Sequence, residues 1–286
     1  MKRMIQNIFY SVAVVILLVI QSCTEQIDIK LDSTYTRCVI YGAITTDTNA
    51  HKVRVTKSAE YFSNKPPESI SGAVVSISDG TNIFPLAESA TELGNYYTAS
   101  NVYGEVGKTY TLNVSNVDLF NDGNLTSYTA SSEIKPVSKI DSINTKYNNS
   151  WDMWEINTWA KDPAETEDYY MFNAYINGVL YSDSLANIVV TDDRFFNGNF
   201  TNGITCYVFA EKDTIKEGYD VTLDICGITK DYYHFILETQ TLINPQNPLF
   251  SGYPANARTN FDNDAIGYFA AYSRSSCTRK VNAKKK

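Results

Sequence analysis

Two histidines, His51 and His234, are the only imidazoles in the 286-residue chain. The first lies in a short charged run, His51-Lys52-Val53-Arg54-Val55-Thr56-Lys57, and the second lies within an apolar run at helical spacing. Neither stands in an HExxH, CxxC or GxSxG context, and no P-loop or GxGxxG pattern occurs elsewhere, so the usual zinc, thiol-redox, hydrolase and nucleotide sites are not spelled out. A Ser-His-Asp set would have to be assembled from tertiary contacts alone. The acidic clusters are Asp118 with Asp122-Gly123-Asn124, Asp192-Asp193, and Asp262-Asn263-Asp264. None has the alternating ligand spacing of a calcium loop. Turn chemistry accounts for them, because Asp and Asn oxygens accept from nearby backbone N–H groups and Gly or Asn supplies positive φ. Nothing in the spacing favours a carboxylate pair for glycoside hydrolysis, which depends on separation in space. The expectation is a non-enzymatic protein with no catalytic residues, no metal and no cofactor.

Aromatic side chains are the other chemistry on offer: 21 Tyr, 13 Phe and 3 Trp. Trp151, Trp154 and Trp159 crowd one segment, and Tyr96-Tyr97, Tyr169-Tyr170 and Tyr232-Tyr233 are doublets. Such rings can bind sugars or form interfaces. In period-two strands one residue of a doublet points inward, so core packing and sheet-surface pairing are the first expectation and a binding face the alternative.

The cysteines depend on where the chain works, and the first residues speak to that. Lys2 and Arg3 precede an apolar run from Ile8 to Ile20 that ends in Gln21-Ser22-Cys23. That is the layout of an export signal, too short for the roughly 20 residues of a spanning helix. The ending resembles the lipobox of bacterial lipoproteins, which implies cleavage after residue 22 and lipidation of Cys23, with stable attachment once two or more acyl chains are present. Outside the cytoplasm, Cys38, Cys206, Cys226 and Cys277 allow three pairings. Strand adjacency suggests Cys206–Cys226, and Cys38–Cys277 would then tie the first strand to the last. Four buried free thiols are the alternative.

The net charge of −8 argues against nucleic acid and anionic lipid surfaces as partners. A basic tail, Arg279-Lys280 and Lys284 to Lys286, is the local exception and suits a solvated, frayed end. Residues 23–33 are polar and acidic, a tether in composition.

The elements expected to carry these residues are mostly strands. Residues 37–44, 51–57, 73–78, 82–88, 94–100, 108–115 and 127–134 alternate or run β-branched, the count and rhythm of a β-sandwich. Pro136 marks a boundary between an N-terminal sandwich at 34–135 and a second β-rich domain at 136–286. In the second, strands are expected at 139–147, 153–161, 168–177 and 179–183, with Asn177-Gly178 as a hairpin turn. A further hairpin pairs 204–212 with 219–226, and 266–273 is the closing strand. One helix follows Thr229 as N-cap and stops at Pro245. Residues 244–264 form a long loop that either packs across the sandwich or contacts a partner, with Leu249, Phe250 and Tyr253 as partner-binding candidates between prolines.

Two stretches carry a wider resemblance. Ser58-Ala59-Glu60-Tyr61-Phe62-Ser63-Asn64 with Pro66-Pro67 and then Ser71 to Gly80, together with Asn247 to Ser251, Pro254 to Asn256 and Gly267 to Phe269, resemble a Bacteroidetes outer-membrane lipoprotein family whose domain is of unknown function. Ser71 to Gly80 is also similar to strands of transthyretin-like and immunoglobulin-like modules. The family resemblance implies an outer-membrane, cell-surface lipoprotein encoded beside a TonB-dependent β-barrel transporter, an accessory to uptake of a small nutrient, glycan or peptide. A surface adhesin or structural lipoprotein is the alternative. Glu25 and Asp28, just after Cys23, are a diluted form of the acidic surface-export signal of such lipoproteins.

Overall fold

The computed structural model describes residues 35–59, 65–209, 215–244 and 256–282, together with Arg3. The chain divides into Met1–Tyr35 and Thr36–Lys286, and every element below belongs to the second unit. That unit is mostly β. Its first seven strands are β1 (Cys38–Thr45), β2 (Lys52–Lys57), β3 (Val74–Ser78), β4 (Ile83–Glu88), β5 (Asn95–Tyr97), β6 (Thr109–Asp118) and β7 (Leu125–Glu133). All seven fall on the expected runs. Alternation explains them: β6 buries Tyr110, Leu112 and Val114 and turns Thr111, Asn113 and Ser115 outward.

The second half holds β8 (Ile140–Asn148), β9 (Met153–Ala160), β10 (Tyr169–Ile176), β11 (Val179–Leu180), β12 (Val189–Asp192), β13 (Ile204–Val208), β14 (Asp220–Ile228), the helix α1 (Lys230–Ile243) and β15 (Ile266–Lys280). Asn177 and Gly178 both take positive φ, 50° and 80°, and turn β10 into β11 as a two-residue hairpin should. Thr229 caps α1 by accepting from the Tyr232 N–H at 3.2 Å, and the helix ends at Ile243. No helix among the described residues is long and apolar enough to cross a membrane.

Two sheets result. The larger has the order β11-β10-β14-β15-β1-β2-β5-β4-β3-β6-β7, with β12 also on β10, and the smaller is β13-β9-β8. The larger sheet curls until β7 returns to β15: the Ala271 N–H donates to Ser132 Oγ at 3.0 Å, and Ala130 bridges Phe261. Inside the curl lies the first core, with Ile40, Ile44, Ile77, Leu112 and Phe269 wholly buried. A second core fills the space between the small sheet and the inner face of β10 and β14, including Ile156, Phe172, Leu223 and Phe209. A third lies under α1, where Phe235 and Ile236 meet Met171, Cys226 and Tyr268.

Along the chain the first core's run ends at Ile134 and the second begins at Ile140, within the one unit and with the larger sheet continuous through strands from both halves. The chain end then serves both sides. β15 runs parallel to β1 from Val39↔Ile266 to Thr45↔Tyr272, and antiparallel to β14 from Gly227↔Ser273 to Asp220↔Lys280. Close approach fixes these joints: a Cβ on Gly267, at φ +108°, would meet the Ile40 carbonyl oxygen at 2.0 Å, and one on Gly227 would meet the Pro136 oxygen at 2.1 Å.

Several expectations are corrected. The 204–212/219–226 hairpin does not form, because β13 pairs with β9 in the small sheet while β14 pairs with β10 and β15. All four described cysteines are free. Cys206 packs in the second core, whereas Cys226 points to the other face of β14 with the third, as period two requires. Cys38 sits beside the start of the β1/β15 pairing and Cys277 eleven residues past Ile266, roughly 35 Å along a strand and far beyond disulfide reach. Burial pushes the Cys38 and Cys206 thiols up to about 12, so both stay protonated. Arg279 and Lys280 are not frayed but end β15, with Lys280 Nζ 3.0 Å from Asp220. In the long loop, residues 256–264 pack on the sandwich: Asn260 Nδ2 donates to the Ser131 carbonyl and Asp262 Oδ1 accepts from Thr129 N–H. Cys23, Leu249, Phe250, Tyr253 and Lys284 to Lys286 lie outside the described residues.

Candidate functional site

The strands that close the first core also carry an outward face, and period two decides what appears there. Tyr41 on β1 stands opposite Arg54 on β2 and opposite Tyr268 on β15, and Tyr272 and Arg274 follow on the same side of β15. α1 covers part of this face and leaves the rest as a cleft of about 490 Å³, lined by Tyr41, Arg54, Asp183, Tyr232, Tyr272 and Arg274 among others. That volume lies within the range of small-molecule sites.

Tyrosine hydroxyls set its chemistry. The Tyr41 and Tyr232 oxygens are 2.7 Å apart in a hydrogen bond that either can donate. Tyr232 stacks at 6.0 Å on Phe235 and at 6.5 Å on Tyr272, so the rings form one continuous wall. Burial pushes the hydroxyls of Tyr41, Tyr232 and Tyr272 above the ordinary tyrosine value, which keeps all three protonated, one proton of the Tyr41–Tyr232 pair serving the bond between them.

A charged group anchors the floor. Arg274 forms an ion pair with Asp47 and lies 3.0 Å from Asp224 through Nε, off the line of a hydrogen bond, so that contact is coulombic. Asp224 is fully buried, hydrogen-bonds Ser276, and has its carboxyl raised by burial. Burial opposes the charge of Arg274, but Asp224 and the neighbouring Tyr175 and Asp47 more than offset it. With both carboxylates engaged, Arg274 holds the wall in place rather than offering a free cation. The free charges are elsewhere. Among the described residues, Arg54 and Asp183 form no ion pair, and Lys52 reaches Glu92 only at 4.0 Å.

His51 borders the cleft but turns inward. It is buried, its Nε2 is 3.2 Å from the Val102 carbonyl, and burial lowers its pKa, so it is a neutral structural donor.

A second feature gathers acids that the sequence keeps apart. Carboxylate oxygens of Asp162, Asp168 and Asp193 lie within 4.8 Å of one another. Asp162 accepts from the Tyr170 hydroxyl at 2.7 Å and from Gly198 N–H at 3.0 Å, and Asp193 accepts from Asp168 N–H at 2.9 Å. Burial first, then the neighbouring charges of Asp162 and Asp193, raises the Asp168 carboxyl. Three carboxylate oxygens within that distance are a spacing that could ligate a cation. The adjacent Asp192 is a separate matter, paired with Arg194 at 2.8 Å. The other acidic clusters are turns or clasps: Asp118 accepts from the N–H groups of Asp122 and Gly123, and Asp262 ties the loop to β7.

Of the aromatic candidates, Trp154 is buried and Trp151 is 60% exposed at the β8–β9 turn. Tyr96 is buried in the first core, and Tyr169 and Tyr170 point to opposite faces of β10 into the third and second cores. Only Tyr232 among the doublets reaches the cleft. Tyr41, Tyr272, Arg54 and Asp183 were not singled out in the sequence. The available signal was the presence of Tyr41, Arg54, Tyr268, Tyr272 and Arg274 at outward positions of β1, β2 and β15, where a solvated strand more often carries Thr, Ser or Lys.

No curated protein matches the chain. Residues 24–278 match a domain of unknown function, DUF4249, and that range includes every residue of the cleft. The chain therefore belongs to the DUF4249 family.

Proposed function

We propose that this protein is a non-catalytic, lipid-anchored binding protein of the outer membrane, displayed at the cell surface, that captures a small nutrient at the Tyr41–Tyr232–Tyr272 cleft for a TonB-dependent transporter. The observation that carries the binding role is the cleft itself, a 490 Å³ concavity with a tyrosine wall held by a buried ion group. Such a face costs stability unless it is used, because Asp224 and Arg274 could be replaced by apolar residues at little loss. The location rests on the Ile20-Gln21-Ser22-Cys23 ending, and the transporter link on the resemblance of the Ser71–Gly80 and Asn247–Ser251 stretches.

The test is affinity purification of the tagged full chain from outer membranes in mild detergent, beside its Cys23→Ala variant. The expected result is a co-purifying β-barrel transporter, lost when Leu249, Phe250 and Tyr253 are changed to Ala, and loss of the Cys23→Ala protein from the membrane fraction. Membrane retention of a cleaved Cys23→Ala product, or recovery of host or matrix proteins in place of a transporter, would overturn the reading.

A further inference from the structure

The charges around the cleft are arranged in a way that narrows its ligand. The β2 side presents Lys52 and Arg54, the opposite side presents Asp183 from the segment after β11, and β1 and β15 form the floor between them with Tyr41 and Tyr272. Arg54 and Asp183 do not neutralise each other, as no ion pair joins them among the described residues. Unpaired opposite charges on facing walls suit a ligand that carries both signs. A neutral sugar could hydrogen-bond to both but would neutralise neither, and a simple anion would leave Asp183 facing it.

Size points the same way: a cleft of about 490 Å³ is in the range that holds a ligand of a few residues. The tyrosine wall between the charges supplies an apolar, weakly polar surface for a central side chain, and, with one proton of the Tyr41–Tyr232 pair used between them, the other and the Tyr272 hydroxyl can donate to backbone carbonyls.

We infer that the cleft binds short peptides with free ends, the C-terminal carboxylate at Arg54 and Lys52, the N-terminal ammonium at Asp183, and an aromatic or aliphatic side chain against Tyr41 and Tyr272. This rests on the cleft being the capture site proposed above. It is separable from the transporter link, because peptide binding is read on the isolated protein.

Calorimetric titration of the full chain in mild detergent with alanyl-phenylalanyl-alanine tests it, alongside the same peptide N-acetylated and C-amidated. Each cap is expected to weaken binding about tenfold or more, the loss of one charge-assisted contact. Arg54→Gln combined with Lys52→Gln is expected to abolish the penalty of amidation while keeping that of acetylation, and Asp183→Asn the reverse. All three residues are exposed, so unchanged thermal midpoints should accompany the variants. Equal binding of free and capped peptides, or tighter binding of glucuronate with indifference to the N-terminal cap, would overturn the inference. Absence of peptide binding with intact transporter co-purification would remove this ligand class and leave the outer-membrane role standing.

Discussion

β1 and β15 present two faces made from the same residues in alternation. The inner face, with Ile40, Ile44, Phe269 and Ala271, is apolar and buried in the first core. The outer face, with Tyr41, Tyr268, Tyr272 and Arg274, is aromatic and charged, and only part of it lies under α1. The inner face is what alternation demands of any sandwich strand. The outer face is not needed for that: solvated positions there would take Thr, Ser or Lys at no loss. The contrast teaches that folding determines one side of these strands along their length and, on the other, only the part under α1, leaving the rest free to be specialised.

The largest effect should come from the inner face. Phe269→Ala removes a wholly buried ring from the first core and is expected to lower stability by about 3–5 kcal/mol in denaturant unfolding. A loss under about 1 kcal/mol would break the distinction between the faces.

Arg274→Met comes next, on the outer face. It leaves Asp224 and Asp47 without their cation, and about 3 kcal/mol of stability is expected to be lost at neutral pH. The pH dependence carries a sign. In the native protein burial raises the Asp224 carboxyl above its ordinary 3.8, so the folded state binds more protons than the unfolded one between those values. Stability from this group therefore rises as pH falls through the raised value towards 3.8 and is lost as pH climbs above it. Removing Arg274 raises the carboxyl further. The variant should recover more stability than the parent as pH falls from neutral towards 3.8, measured by thermal midpoints, and an equal recovery would show that Arg274 does not hold the buried charge.

Tyr41→Phe is smaller still. It removes the 2.7 Å bond to Tyr232 but keeps the ring on Phe235, so about 1 kcal/mol is expected in the same unfolding measurement.

Much of the fold was legible because local patterns decided it. The seven N-terminal strands, the Asn177-Gly178 turn and the Thr229 cap each follow from a few neighbouring residues. What failed depended on distant partners. β13 and β14 look like a hairpin because consecutive strands usually pair, yet β14 is buried on both faces and takes β10 and β15 instead. The disulfide proposals inherited that error, and the Cys38–Cys277 pairing also assumed that the two strand ends meet, whereas the parallel register sets them far apart. β12 was missed because Val189–Asp192 is four residues long. The cleft was illegible for the same reason: Tyr41, Arg54, Asp183, Tyr232 and Tyr272 come from five elements or connections, and only the β1–β15 pairing brings them together. The Asp162, Asp168 and Asp193 group likewise needs the 193–199 loop to fold back on the start of β10.

Ile40 and Tyr41 are adjacent in sequence and face opposite ways, so a pair of variants tests the central claim most directly. Ile40→Ala and Tyr41→Ala would each be measured for unfolding free energy and, on the folded protein, for affinity to alanyl-phenylalanyl-alanine. The account predicts that Ile40→Ala loses about 2–5 kcal/mol of stability with near-native affinity, whereas Tyr41→Ala loses less stability and most of its binding. Parallel losses in both variants, or full binding by Tyr41→Ala, would contradict it.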